Sequence, residues 1–292
     1  MKPYDETVQL DSVLPFRNHV VISGRRGGSE KIWVAANRNL AEWREIGVPE
    51  EVYSIWCGDN YEYDSDTFRY VYSSFITPKT WIDYNLNDHT SKTLKVQEVP
   101  GYDITKYVTR RLFAPARDGT SIPLSIVHLA SISLPDGGST SSQPLPCILY
   151  GYGSYGHCVD PVFDYKRTAL LDRGVVYVVA HVRGGGEMGK HWYEDQGKYL
   201  TKMNTFNDFG DCAQHLISTG ITSSQKLCGI GRSAGGLLMG AVANMFPHLF
   251  KVLVADVPFV DAVNTMSDPT IPLTGKILKP FFVIFYIFYF SC

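Results

Sequence analysis

The residues with the clearest chemical potential form a Gly-x-Ser-x-Gly motif at residues 231–235. The motif follows a strand-like apolar stretch and precedes a helix-like one, which is the setting of a nucleophile elbow. On so tight a turn, the residues two positions either side of the serine must lack side chains so that strand and helix can approach each other. The motif therefore predicts that Ser233 is a nucleophile at the carboxyl edge of a sheet, and simple capping of the helix by its hydroxyl is the alternative.

A second glycine-rich motif, Tyr-Gly-Tyr-Gly-Ser-Tyr-Gly, occupies residues 150–156 directly after another apolar stretch. Acyl transfer through a serine needs hydrogen-bond donors aimed at the oxyanion that develops on the substrate. One donor is the backbone N–H of the residue after the nucleophile, and another comes from a loop after an earlier strand. Ala234 and Tyr152 are the candidates for these two donors. The alternative is a glycine-rich turn whose tyrosines only pack in the core.

The first 100 residues contain short β-rich runs separated by turn residues, a pattern typical of an antiparallel meander. Strands at this spacing fit about two four-stranded propeller blades, and a piece of β-sandwich remains the alternative. The predicted strands are residues 20–23, 31–35, 53–57, 68–75, 80–86 and 93–99.

The pattern of predicted secondary structure changes after residue 102. Two strand-like runs, residues 108–115 and 123–130, flank a turn, and apolar strands then alternate with helical segments. This alternation predicts an α/β domain with a parallel sheet that is covered on both faces. The later strands are predicted at residues 147–150, 175–180, 226–230 and 251–255, and the helices at 205–218 and 234–245.

Four motifs in one order resemble the prolyl oligopeptidase family of serine peptidases, and most closely its oligopeptidase B branch. They are Leu-Tyr-Gly-Tyr-Gly-Ser-Tyr-Gly at 149–156, His-Val-Arg-Gly-Gly-Gly-Glu-Met-Gly at 181–189, Asn-Thr-Phe-Asn-Asp-Phe at 204–209, and Gly-Arg-Ser-Ala-Gly-Gly at 231–236. The resemblance implies a β-propeller that caps an α/β-hydrolase domain and admits only short peptides. The expected fold is therefore a partial α/β-hydrolase domain (103–274) preceded by the last part of a β-propeller (1–102), with a tail (275–292) that does not resemble the family.

The resemblance also implies roles for individual residues. Ser233 resembles the acylating nucleophile, Tyr152 the hydroxyl donor of the oxyanion hole, and Ala234 its backbone donor. Tyr155 and Asp160 resemble residues that line the substrate cleft.

The specificity of the site depends on acidic residues. In the oligopeptidase B branch carboxylates attract basic side chains, and Asp160 is placed to be one of them, although it could equally be a turn residue before Pro161. A second acid expected nearby is replaced by Val162. Arg183 and Glu187, in the second motif, could brace their loop as readily as touch substrate.

The base and the acid of a catalytic triad are not apparent. In an α/β-hydrolase they follow the serine in the order Asp or Glu, then His. The only later histidine is His248, which falls between a helix and the next strand, at the end of the sheet opposite Ser233. Asp256 and Asp261 could approach the catalytic edge, but they match positions before the family's catalytic acid.

We therefore expect a truncated serine-type oligopeptidase that acts on short peptides, after Arg or Lys, through an acyl-enzyme on Ser233, and that is inactive without a base. A prolyl-specific or acylaminoacyl peptidase is the alternative within the family. A non-catalytic protein that binds peptides, and a membrane-tethered protein, are the alternatives outside it.

The amino-acid composition indicates which kinds of binding partner and which cellular location to expect. The formal net charge of −2 offers no global positive field for nucleic acid. Six cysteines without a CxxC pair predict neither a zinc site nor a disulfide scaffold, and the expected chemistry needs no metal or cofactor. The N-terminus has no secretory pattern, which predicts a cytoplasmic location. The ten apolar residues at 281–290 are short of the roughly 20 that a membrane helix needs.

Overall fold

The computed structural model describes residues 8–135 and 143–261, together with Asn264, Thr265, Asp268 and Thr270. The first part of the chain forms two four-stranded antiparallel sheets in which the strands follow one another in sequence order. The first sheet contains β1 (Val8–Pro15), β2 (His19–Arg26), β3 (Ser29–Ala36) and β4 (Arg44–Glu45). The second contains β5 (Tyr53–Cys57), β6 (Thr67–Ser74), β7 (Thr80–Asn85) and β8 (Ser91–Val96). The predicted antiparallel meander is confirmed.

The two sheets share one apolar core. Ile32 and Val34 of β3 pack with Ile55, Phe68 and Tyr70 of the second sheet, and all five are buried. Such large side chains recur at every second position of their strands, so each sheet directs one apolar face toward the other. This arrangement gives the two sheets the packing of neighbouring propeller blades.

The second part of the chain forms a six-stranded mixed sheet in the order β14-β13-β11-β12-β10-β9. Its strands are β9 (Tyr107–Pro115), β10 (Ser121–Leu129), β11 (Cys147–Tyr150), β12 (Val176–Ala180), β13 (Leu227–Arg232) and β14 (Val252–Asp256). The four strands from β11 onward are parallel, whereas β10 is antiparallel to both of its neighbours. Only the α/β part of the sheet is therefore parallel, because β9 and β10 are joined by a short turn rather than by a helix.

In the ranges 8–135 and 143–261, the α-helices that accompany this sheet are α1 (Tyr165–Leu171), α2 (His191–Glu194), α3 (Met203–Ser218) and α4 (Ala234–Met245). On one face, Phe206 and Phe209 of α3 pack in the same core as Leu149 and Val178 of the strands. On the other face, the strand residues that point the opposite way contact α1 and the propeller part. That second contact cluster contains Val127, Val179, Leu171, Val52 and Phe75. The sheet thus lies between two packed layers, one on each face.

The prediction that both faces are covered is wrong for β14. Val252 is 50% exposed and Val254 is 41% exposed, and within the described ranges β14 pairs with β13 alone. Among the described residues, β14 is therefore paired on one side only.

Within the ranges given above, no helix combines the length and apolar character needed to cross a membrane. The apolar run at 281–290 lies outside the described residues.

Candidate active site

Ser233 occupies the sharp turn between β13 and α4. Its backbone has φ 56° and ψ −115°, a left-handed conformation that is strained for a residue with a side chain. The hydroxyl makes no capping hydrogen bond to α4, and the residue is exposed. The geometry is that of a nucleophile elbow, and the capping alternative is not observed.

The glycines beside Ser233 permit this turn. A Cβ on Gly231 would lie 2.1 Å from the carbonyl oxygen of Gly235, and one on Gly235 would lie 2.7 Å from that of Gly151. These separations are too short for any side chain, so the expectation that both positions must be bare is confirmed. The second of them also shows that the elbow packs directly against the start of the Tyr152 loop, residues 151–157.

The end of β14 is tied to the elbow. The Ser233 N–H donates to the Asp256 carbonyl at 2.9 Å, and the Phe259 N–H donates to the Ser233 carbonyl at 3.1 Å. The Asp256 carboxylate does reach the catalytic edge, where it accepts a hydrogen bond from Arg232 at 2.8 Å. Its ordered partner there is thus an arginine and not a histidine.

A cavity of about 260 Å³ opens beside the elbow. It is lined by Tyr150, Tyr152, His157, Val159, Arg232 and Ser233. The structure therefore brings together Ser233 and Tyr152, which are separated by some 80 positions of sequence, on one concave surface.

The two candidate oxyanion donors have free hydrogens in this arrangement. Burial, helped by the neighbouring Tyr155 and Tyr150, raises the pKa of Tyr152, so its hydroxyl keeps its proton. No described residue forms a hydrogen bond with that hydroxyl. Ala234 is buried and is the first residue of α4, a position whose N–H has no partner inside the helix.

His157 is a cavity residue that the sequence did not point to as functional. Its ring meets the ring of Tyr152 edge-on, with centroids 5.3 Å apart and planes at 74°, and the side chain is exposed. Among the described residues, none forms a hydrogen bond with Ser233 Oγ, His157 included. The available signal was its position immediately after the second glycine-rich motif.

His248 lies where the sequence predicts. It is an exposed residue in the short 3₁₀ turn Pro247–Leu249, which precedes the amino end of β14. Because β13 and β14 are parallel, Ser233 follows the carboxyl end of its strand at the opposite edge of the sheet. His248 cannot take a proton from Ser233 in this arrangement.

Tyr155 and Asp160, the two candidate substrate-binding residues, differ in how accessible their side chains are to a ligand. Tyr155 is 60% exposed and has a positive φ of 60°, so its ring projects from the loop. Asp160 is not among the lining residues of the cavity, and both of its oxygens accept hydrogen bonds from Arg25 of β2 at 2.8 Å. Glu30 also contacts Arg25, at 3.2 Å. The pair joins the propeller part to the catalytic part of the chain.

Arg183 and Glu187 are engaged internally. Arg183 donates to both oxygens of the fully buried Asp208, at 2.9 and 2.5 Å, and to Asp118 at 2.6 Å. Glu187 accepts the Val159 N–H at 2.9 Å. The sequence left open whether Arg183 and Glu187 brace their loop or touch substrate. The contacts observed here are those of residues that brace a loop.

Comparison with known proteins identifies the family. Residues 2–97 match the prolyl oligopeptidase N-terminal beta-propeller domain, and residues 161–279 match the prolyl oligopeptidase family. The chain belongs to the prolyl oligopeptidase family. The predicted fold class, part of a propeller followed by α/β-hydrolase elements, is thereby confirmed.

Relatives that include two oligopeptidases B of known structure match most of this chain. Protease 2 of Moraxella lacunata is 44% identical over 272 residues, which are 93% of this chain and 38% of that protein. The structure of oligopeptidase B from Trypanosoma brucei with covalently bound antipain has a TM-score of 0.85 and 45% identity, over 93% of this chain and 38% of that one. The structure of oligopeptidase B from Leishmania major has a TM-score of 0.84 and 44% sequence identity, over 92% of this chain and 38% of that one. The chain thus spans little more than a third of the length of these relatives.

Proposed function

We propose that Ser233, Tyr152 and Ala234 form the nucleophile and oxyanion hole of a serine oligopeptidase that cleaves short peptides after Arg or Lys. The observation that carries this proposal is the cavity shared by the strained, exposed Ser233 and the unpartnered Tyr152 hydroxyl. A pre-formed donor beside a nucleophile stabilises charge that appears only in the transition state, which is the largest usual contribution to acyl transfer. Membership of a peptidase family supports the same chemistry.

The reaction would follow from this geometry. Ser233 Oγ adds to the substrate carbonyl, the carbonyl oxygen becomes an oxyanion, and the Tyr152 hydroxyl and the Ala234 N–H donate to it. Collapse of this adduct expels the amine and leaves an acyl-enzyme, which water then hydrolyses. The serine proton must go to a base and from that base to the leaving amine, and no described side chain is hydrogen-bonded to Ser233 Oγ to receive it. We therefore propose that the chain on its own turns over very slowly.

The preference for basic residues has its support in the resemblance of this chain to the oligopeptidase B branch and in its similarity to structures of that type. Asp160 does not line the cavity, and its carboxylate accepts two hydrogen bonds of 2.8 Å from Arg25. A substrate arginine could form the same bidentate contact only after displacing Arg25.

The names of other relatives support different specificities. Dipeptidyl aminopeptidase BI of Pseudoxanthomonas mexicana is 44% identical over 260 residues, and the prolyl endopeptidase of Elizabethkingia meningoseptica is 35% identical over 195. Removal of N-terminal dipeptides and cleavage after proline are thus the second candidates.

A hybrid peptidase separates these candidates. In it, the 272 aligned residues of this chain replace the matching part of Moraxella lacunata Protease 2. Its rates are compared on blocked peptides with Arg, Lys or Pro before the cleaved bond, and on the unblocked dipeptide equivalents. Preference for blocked Arg and Lys substrates supports the proposal. Preference for Pro, or for a free amino terminus, would select one of the alternatives, and peptide binding without turnover would select a non-catalytic role.

Replacing the Tyr152 hydroxyl tests the oxyanion hole. In the hybrid peptidase, Tyr152→Phe is expected to lower kcat by about ten- to a thousandfold, the range for losing one such donor, with little change in KM. The control is Tyr165→Phe, an exposed tyrosine in α1, which should leave both constants unchanged. Equal kcat values for Tyr152→Phe and the unmodified hybrid would leave Tyr152 as packing only.

A further inference from the structure

Lys202 contacts the loop that carries Tyr152. Its ammonium donates to the carbonyl oxygen of Gly153 and, at 2.9 Å, to the hydroxyl of Ser154. It also lies 5.7 Å from the centre of the Phe206 ring, within range of a cation–π interaction. Lys202 therefore reaches the two residues that directly follow Tyr152.

The position of Lys202 is not explained by the helix that it begins. Lys202 is the N-cap of α3 and makes no side-chain cap hydrogen bond. A positive charge at a helix N-terminus faces the positive end of the helix dipole, and serine, threonine, aspartate and asparagine are the residues that stabilise this position. Local helix energetics disfavour a lysine here, so its contacts with the loop are the favourable interactions that the structure offers for it.

The loop that Lys202 contacts is closely packed against its neighbours. A Cβ on Gly153, whose φ is +63°, would lie 2.4 Å from the Thr205 side chain. Thr205 itself donates to the Arg183 carbonyl at 2.6 Å, and the Gly156 N–H donates to the Gly184 carbonyl at 3.0 Å. The loop is thus packed between the start of α3 and the segment after β12, and Lys202 supplies a side-chain contact from the α3 side.

Among the described residues, no ion pair includes Lys202, so its charge has no acidic partner there. Burial lowers the pKa of Lys202 to about 7, although its two acceptors and the Phe206 ring favour the ammonium. Even a neutral amine keeps two N–H donors for two acceptors, so both hydrogen bonds survive a change of protonation state.

We propose that Lys202 is a positioning residue for acyl transfer: by holding the Gly153–Ser154 segment, it fixes the Tyr152 hydroxyl in the place where it meets the oxyanion of the substrate. This inference rests on the proposed function of Tyr152. A donor displaced by about an ångström loses much of its effect on the transition state, while a substrate bound elsewhere in the cleft is held as before. Loss of Lys202 should therefore lower kcat and leave KM nearly unchanged.

The first test uses the 292-residue chain and needs no activity. Amide hydrogen exchange is measured over residues 152–156 for the unmodified chain, Lys202→Met, Lys202→Arg and the control Lys198→Met. Lys198 lies four positions earlier, pairs with Glu194 and, among the described residues, forms no hydrogen bond with the loop. Lys202→Met is expected to speed exchange in this segment by about tenfold, with Lys202→Arg closer to the unmodified chain and Lys198→Met unchanged. Equal exchange in Lys202→Met and the unmodified chain would overturn the proposal.

The second test measures kcat and KM of the same variants in the hybrid peptidase. We expect Lys202→Met to lower kcat by about ten- to a hundredfold, Lys202→Arg to recover part of it, and Lys198→Met to have no effect. A loop that loosens without any loss of kcat overturns the positioning role. If the unmodified hybrid shows no serine-dependent hydrolysis, the proposed function has failed, and the exchange result still decides whether Lys202 holds the loop.

Discussion

The 292-residue chain is expected to hydrolyse a short Arg-containing peptide roughly a thousand- to a millionfold more slowly than the hybrid peptidase, the range for an acyl-transfer site without its base. Ser233 Oγ has no hydrogen-bonded base in the described part of the chain. His248, the only histidine after Ser233, lies at the opposite edge of the sheet. The rates are compared at equal enzyme concentration, with Ser233→Ala as the background in both proteins.

His157 provides the sharpest control for this expectation, because it is the one histidine that lines the cavity with Ser233. If the 292-residue chain hydrolyses the peptide efficiently, and both Ser233→Ala and His157→Ala abolish this, then His157 is the base. That result would contradict the account. A rate at the background level, unchanged by His157→Ala, is the outcome that we expect.

Arg183→Met is expected to lower the free energy of unfolding by about 3–5 kcal/mol, as for other buried pairs that lose one partner. Asp208 is 0% exposed and depends on Arg183 for two side-chain hydrogen bonds and one from the backbone N–H. The variant leaves its carboxylate buried with the backbone donor alone. Urea unfolding of the purified chain, followed by circular dichroism, measures the difference.

A half-exposed arginine that pairs with another aspartate of α3 is the control for Arg183. Arg117 pairs with Asp211 of α3 at 2.8 Å, with its own side chain half exposed. Arg117→Met should cost no more than about 1 kcal/mol, because solvent screens the half-exposed guanidinium and the Asp211 carboxylate keeps the hydrogen bond from the Arg117 backbone N–H. The double variant Arg183→Met, Asp208→Leu should recover much of the lost stability, since it leaves no buried charge. Equal losses for the two single variants would show that Asp208 does not depend on Arg183.

The effect of Arg183 would reach the active site through the backbone. Gly184 follows Arg183 directly, and its carbonyl accepts the N–H of Gly156 in the Tyr152 loop at 3.0 Å. The same loop is held by Lys202 from its other side. Stability of this region and placement of the Tyr152 hydroxyl are thus linked by the same contacts.

The secondary structure was readable from sequence where an element carries a strong local signal. The continuous apolar run of β11 and helix α4, which follows the Gly-x-Ser-x-Gly turn, begin and end at the predicted residues. β1 was missed, because its polar and apolar residues give a largely exposed edge strand. β4 and α2 were missed because they contain only two and four residues, which is too short for any periodicity to appear.

The parts of the candidate site that carry a strong local sequence signal could also be predicted. The glycine spacing around Ser233 and Tyr152 reports local backbone constraints, and the structure shows these as close contacts. Arg25 pairs with Asp160 across 135 positions of sequence, and nothing near either residue indicates that partner. His157 and Arg232 adjoin the two glycine-rich motifs, but whether their side chains face the cavity depends on the packing of the whole fold.

Covalent labelling of Ser233 tests the central claim most directly. The hybrid peptidase is treated with a fluorophosphonate, and the modified peptide is located by mass spectrometry beside a Ser233→Ala control of equal thermal stability. The account predicts one adduct per molecule, on Ser233, with parallel loss of hydrolysis, and neither labelling nor hydrolysis in the control. Labelling at another residue, or hydrolysis that persists in Ser233→Ala, would contradict the claim that this serine is the nucleophile.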